Sequence, residues 1–183
     1  MKFNKSLWVA FGLLIVVGSL SRVFGFAPQI AMAVFGGAMI KDKKLAFLVP
    51  MISMLLSDVL MEVLFINGYF PYGGFYSGQI TNYILLASMT LFGFMIKGFN
   101  VGRMATAAVA APTTYFLASN FLVWANGGGL HRPKTFDGLL MCYADALPFY
   151  RSYLVSTIAF TVIFFGGYYL LQRFVLNRNA QMA

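Results

Sequence analysis

The apolar residues of this chain come in long unbroken blocks, and the short stretches between those blocks hold most of the charge. Few architectures tolerate that pattern. An α-helix pairs its own N–H and C=O groups, so a block of about 20 apolar residues can cross about 30 Å of hydrocarbon with no orphaned backbone group. A membrane β-barrel would instead alternate polar and apolar residues at every second position. Only 10% of the 183 residues are charged, against roughly a quarter in a soluble domain, which leaves too few to cover a water-facing surface. The expectation is an all-α membrane protein forming a single integral-membrane domain over residues 1–183.

The same composition narrows the function classes. The 13 Lys and Arg against 5 Asp and Glu are scattered between apolar blocks and form no stripe, so nucleic acid is not an expected partner. One cysteine, Cys142, forms no intrachain disulfide, and no Cys or His spacing fits a zinc site. No serine elbow or His-Glu-x-x-His motif occurs, and the carboxylate pair Asp58/Glu62 has no matching carboxylate on a second helix. Neither an enzyme nor a cofactor is expected.

Cutting the chain at charges and turn residues gives six spans: Ser6 to Arg22, Pro28 to Ile40, Leu45 to Ile66, Gln79 to Ile96, Met104 to Trp124 and Ser152 to Gln172. The second is short, which predicts either little tilt or an entry of Gly25 to Gln29 into the membrane before the helix. Alternating loops place Lys2, Lys5, Lys41, Lys43, Lys44, Lys97, Arg103, Arg173 and Arg178 on one side, and Arg22, Arg132, Lys134 and Arg151 on the other. By the positive-inside rule both termini are cytoplasmic, in the inner membrane of a bacterium. Lys2 and Lys5 before an apolar run resemble a signal peptide, but Pro28 directly after Gly25-Phe26-Ala27 argues against cleavage there.

Ionisable side chains inside a bilayer cost about 2.5–3.5 kcal/mol each on insertion scales, so each needs a partner, a wet cavity or a function. Asp58 and Glu62 lie one turn apart on the third span and share a face. Both fall in its outer half. Arg22 ends the first span on that side, Gln29 begins the second, Gln79 and Asn82 begin the fourth, and Asn120 and Trp124 end the fifth. The inner half is almost wholly apolar, whereas an ion channel needs polar groups along its full depth. The pattern predicts a cup open to the outside, suited to capture of a small solute. A structural ion pair between Arg22 and the Asp58/Glu62 carboxylates is the competing reading.

Two external loops bear on the cup. Residues Asn67 to Gly78 set Tyr72, Phe75 and other aromatics among glycines with no charge, which fits either a stacking cover or an interfacial aromatic belt. Ala125 to Tyr150 is the longest loop. Thr135 is placed to cap a short helix with Leu139, Leu140, Tyr143 and Leu147 on its apolar side, either a lid or a packing plug. His131 reads as a surface residue, while Arg132 and Lys134 suit lipid headgroups. The residues expected to bind substrate are Arg22, Asp58, Glu62, Tyr72, Phe75, Gln79, Asn82, Asn120 and Trp124.

Arg22 with Ala27-Pro28, Gly36-Gly37-Ala38, Pro50 with Ser57-Asp58, Asn120-Phe-x-x-Trp124 and the run Thr135-x-x-Gly138-Leu139-x-x-Cys142-Tyr143-x-x-Ala146-Leu147-Pro148-Phe149 resemble a bacterial family described only as transport proteins. In size, span number and cup the chain is also similar to the S components of energy-coupling factor transporters, a likeness at the level of fold. That resemblance implies a vitamin-like substrate covered by residues 22–27, 67–78 and 125–150. It further implies docking to a coupling membrane protein driven by two ATPases. Many S components carry Ala-x-x-x-Ala in the first span; here Ala10, Gly12 and Gly18 occur without that pattern. The alternatives are a stand-alone facilitator, and a scaffold subunit resembling those of cell-wall elongation complexes.

Overall fold

The structure is a computed structural model that describes residues 12, 15–22, 28–127 and 130–181, with side chains described as far as Arg173 except that of Leu171. Residues 6–11, 13 and 14 of the expected first span, residues 23–27 of the first loop, and glycines 128 and 129 lie outside the described residues. Those that are described fold as helices and connecting turns, with no strand among them. Helix α1 covers residues 15–21, followed by α2 (Gln29–Met39), α3 (Lys43–Ile66), α4 (Gln79–Ser88), α5 (Thr90–Phe94), α6 (Val101–Ala125) and α7 (Phe136–Gln181).

Helix α2 is the centre of the molecule. It is apolar on every side, and a helix of that kind is stable only when surrounded. Residues Gln29 to Gly37 are all buried, against neighbours in α3, α5, α6 and α7. Eleven residues rise about 16 Å, roughly half a hydrocarbon core, so α2 is a core helix rather than a full crossing. Phe35 packs against Phe165 with ring centroids 5.1 Å apart and against Phe164 at 5.8 Å. Glycine brings α2 and α5 into backbone contact. A Cβ on Gly93 would lie 2.2 Å from the Val34 carbonyl oxygen, and one on Gly37 would lie 2.3 Å from that of Thr90.

Helix α1 docks on α3 through small residues. The Ser19 hydroxyl donates to the Ser53 carbonyl at 3.0 Å, and Gly18 lies so close to Met32 that an added Cβ would meet its sulfur at 2.6 Å. This contact delivers Arg22, just past the end of α1, to the middle of α3. The expected fourth span is interrupted at Met89, where α4 gives way to the short α5. At the opposite end from loop 67–78, Lys43 lies 5.8 Å from the centre of the Phe94 ring, which gathers the 41–43 and 94–100 turns together.

The largest departure from the sequence expectation is α7. The segments expected as the last external loop and the sixth span form one helix from Phe136 onward, 46 residues in all. The expected cap is present, with the Gly138 amide donating to the Thr135 hydroxyl at 3.2 Å. Pro148 lies inside the helix. It removes one intrahelical hydrogen bond, a loss that neighbouring helices can support. That support comes from α6: the Phe116 ring stacks on Tyr150 at 4.7 Å, the Tyr143 hydroxyl donates to the Leu117 carbonyl at 3.0 Å, and Thr113 and Tyr150 share a hydrogen bond of 2.9 Å. Residues 136–150 therefore run along the flank of α6. At the turn between the two helices, Arg132 grips Asp145 with two hydrogen bonds of 2.9 and 3.0 Å.

Among the described residues, α3 and the Phe136–Leu170 part of α7 are long and apolar enough to cross a membrane. The α2–α5 crossing yields a direct expectation. Gly93→Val should lower the midpoint of thermal unfolding in detergent, at a cost of about 1–3 kcal/mol for overpacking. Gly166→Ala, where an added Cβ meets no atom within 4 Å, should leave the midpoint unchanged or slightly raised; equal effects of the two would refute the close crossing.

Candidate functional site

Asp58 is wholly buried, and a buried carboxylate must collect donors or lose its charge. Three side chains supply them. Arg22 donates through Nη1 to Oδ1, while Gln79 Nε2 at 2.6 Å and the Tyr83 hydroxyl at 2.5 Å both donate to Oδ2. Gln79 and Tyr83 are one turn apart on α4 and so present a single face to α3. The Arg22 side chain is 24% exposed, so the pair is sealed on the Asp58 side and open on the other. One carboxylate thus ties the end of α1 and the start of α4 to α3.

Glu62, one turn further along α3, has a different task. Its Oε2 accepts from the backbone N–H of Gly74 at 2.9 Å and of Phe75 at 3.3 Å. This folds loop 67–78 back over the end of α3. Gly74 is required there, because a Cβ would come within 1.7 Å of the Asp58 carbonyl oxygen. Tyr72 and Phe75 point outward, 57% and 51% exposed, and the Tyr72 ring meets Phe70 edge-on at 6.0 Å.

Beside this cluster is a cavity of about 650 Å³, within the usual range for small-molecule sites. Arg22, Gln29, Ile30 and Met54 form one wall; Tyr76 to Gly78 with Thr81, Asn82, Leu85 and Leu86 form the second; Tyr115, Ser119, Leu122, Val123 and Asn126 of α6 and its following turn, with Tyr153 of α7, form the third. Asn82 holds the last two walls together: its Nδ2 donates to the Tyr76 hydroxyl at 2.5 Å, and its Oδ1 accepts from the Tyr115 hydroxyl. Burial pushes the Tyr76 phenol above its ordinary value, with the Asn82 hydrogen bond acting in the opposite sense, so Tyr76 is neutral at physiological pH and can donate. No group of three His, Cys, Asp or Glu side chains stands together among the described residues. The chemistry on offer is hydrogen bonding and ring contact.

Of the nine residues expected to bind substrate, Arg22 and Asn82 line the cavity. Asp58 and Gln79 stand one layer behind, holding Arg22 and each other. Glu62, Tyr72, Phe75, Asn120 and Trp124 lie off the wall. Asn120 Nδ2 donates within its own helix to the Phe116 carbonyl at 2.8 Å, and Trp124 Nε1 donates to the Pro133 carbonyl at 2.9 Å, in the α6–α7 turn. Sequence reasoning passed over Tyr76, Tyr83, Tyr115 and Tyr153 as site groups. A signal existed for part of this set: Tyr115, Ser119, Leu122 and Asn126 follow helical spacing on one face of α6.

Fold and site together define a protein that is all-helical over its described residues, with two helices among them fit to cross a membrane and a cavity of small-molecule size at one end. The chain belongs to a family of unknown function, DUF6580, whose profile matches residues 1–180. No curated protein and no solved structure matches it.

The Arg22–Asp58 pair should show strong coupling in a double-mutant cycle. Asp58→Asn and Arg22→Gln should each destabilise the folded protein by about 1–3 kcal/mol, below the usual cost of breaking a buried pair because Arg22 keeps access to the cavity. The double variant should be less destabilised than the sum of the two singles, read from denaturation midpoints in detergent. Simple additivity would remove the pair as an organising contact.

Proposed function

We propose that this is a multi-pass protein of the bacterial inner membrane that captures a small organic micronutrient from outside, as the binding subunit of an uptake system. The observation that carries the reading is the 650 Å³ cavity beside Arg22, with mixed aromatic and polar walls. Its position supports capture from outside: the cavity lies at the end bearing loops 67–78 and 126–135. The opposite end carries Lys41, Lys43, Lys44, Lys97 and Arg103, which the positive-inside rule assigns to the cytoplasm. Both termini are then cytoplasmic. The resemblance to S components makes a coupling membrane protein with ATPase subunits the natural energising partner.

The scaffold reading has one observation in its favour, since Asp58 and Glu62 are both satisfied by protein groups and serve the bundle. A protein that only held partners together would gain nothing from a cavity of this volume, which would be expected to close by side-chain collapse.

Orientation is testable with cysteine labelling in a Cys142→Ser background. Tyr72→Cys should react with a membrane-impermeant maleimide on intact spheroplasts, and Lys43→Cys only after permeabilisation; the reverse pattern would invert the topology. Capture is testable by native mass spectrometry of the purified full-length protein. Wild type should carry a small-molecule adduct, and Ser119→Trp, which fills the cavity from the α6 side, should lose it. An adduct equally present in both would place binding elsewhere.

A further inference from the structure

Charge around the cavity decides which molecules it can hold. We infer that the site takes a net-neutral, ring-bearing organic molecule with hydrogen-bond acceptors on its edge, and disfavours carboxylates, phosphates and amines; this rests on the capture reading and narrows it. Among the described residues, Arg22 is the single Lys, Arg, Asp or Glu side chain in the wall. Its charge is already balanced inside the protein by Asp58, which has no exposed surface. The stretches adjoining the lining residues in sequence, Val-Phe-Gly-Phe-Ala after Arg22 and Gly-Gly after Gly127, hold no ionisable group.

An anionic guest has two ways to use Arg22, and both are unfavourable. Sharing the guanidinium would set two negative groups around one cation in a partly enclosed, weakly screened space. Drawing Arg22 away would strand Asp58 with only Gln79 and Tyr83, a buried charge without its counter-ion. A cationic guest would meet Arg22 with no carboxylate to oppose it, and the faces of the tyrosines offer only modest cation–π attraction.

A neutral ring system meets neither obstacle. Tyr115 and Tyr153 stand with centroids 5.9 Å apart and planes at 49°, an aromatic wedge on one side of the space. Asn126 presents an amide, and the guanidinium N–H groups not committed to Asp58 can meet a carbonyl or ring nitrogen while Asp58 keeps its partner. Apolar and aromatic walls with a few convergent polar groups are the usual means of orienting such a guest.

The test uses the full-length protein in detergent. Any small molecule released on denaturation is analysed for mass, near-ultraviolet absorbance and electrophoretic mobility at pH 7. In parallel, four neutral probes (thymidine, adenosine, riboflavin and nicotinamide) are compared with their anionic counterparts (thymidine 5′-monophosphate, adenosine 5′-monophosphate, riboflavin 5′-phosphate and nicotinate), and adenosine with its 5′-amino-5′-deoxy analogue, by thermal shift and calorimetry. The expected result is a released molecule that is uncharged and ring-bearing, or at least one neutral probe binding about tenfold or more tighter than its charged counterparts, a gap of about 1.4 kcal/mol.

A released anion or amine, or a charged probe binding as tightly as its neutral partner, overturns the inference while capture stands. If nothing is released and no probe shifts the midpoint, the capture reading itself fails and this inference fails with it.

Discussion

A carboxylate that has lost all contact with water dictates what surrounds it, and the end of this molecule that holds the cavity is arranged around Asp58. An ionised carboxylate in such a place is tolerated only with a counter-charge and further donors. Meeting that demand brings Arg22 from α1 and Gln79 and Tyr83 from α4 to a single point on α3. The cavity is a consequence. Its first wall includes the outward side of Arg22, its second grows from the same α4 that Asp58 anchors, and Asn82, three residues beyond Gln79, reaches across to α6 through Tyr115.

The apolar half solves a different problem, that of packing short helices closely enough to exclude space. Glycine does this where α2 crosses α5, since any side chain at Gly37 or Gly93 would strike backbone oxygen. Proline contributes by subtraction. Pro50 has no N–H, so it offers no hydrogen bond to the Ala46 carbonyl one turn earlier, and that oxygen lies against Gly36, where a Cβ would approach to 3.1 Å. The gap in one helix and the bare surface of the other coincide.

Helix positions were legible in the sequence because apolar block length is a property of the chain alone, and the Thr135 cap because capping is local. Asp58 and Glu62 were legible as a pair sharing one face of α3. Their separate tasks were not, because Asp58 meets α1 and α4 while Glu62 meets loop amides, and neither partnership leaves a mark in spacing. The tyrosines were missed for a related reason: a phenol within an apolar run reads as core until the position of Asn82 or Asp58 opposite it is known. Pro148 shows a local signal that packing overrides. A proline removes one helical hydrogen bond, yet contacts from Phe116 and Thr113 carry α7 past it. The interruption at Met89 has no sequence signal comparable to those at Gly or Pro.

Chain order adds a temporal dimension. Arg22, Asp58, Gln79 and Tyr83 all precede residue 90, so every partner of the buried ion pair is synthesised before α6 and α7. During synthesis, which proceeds N-terminal portion first, the first half of the molecule can neutralise its own buried charge without waiting for the second. Tyr115 and Tyr153, by contrast, arrive late. The cavity is therefore closed over a foundation whose charges are already balanced: the Arg22–Asp58 pair comes from the first half of the chain and the third wall from the second.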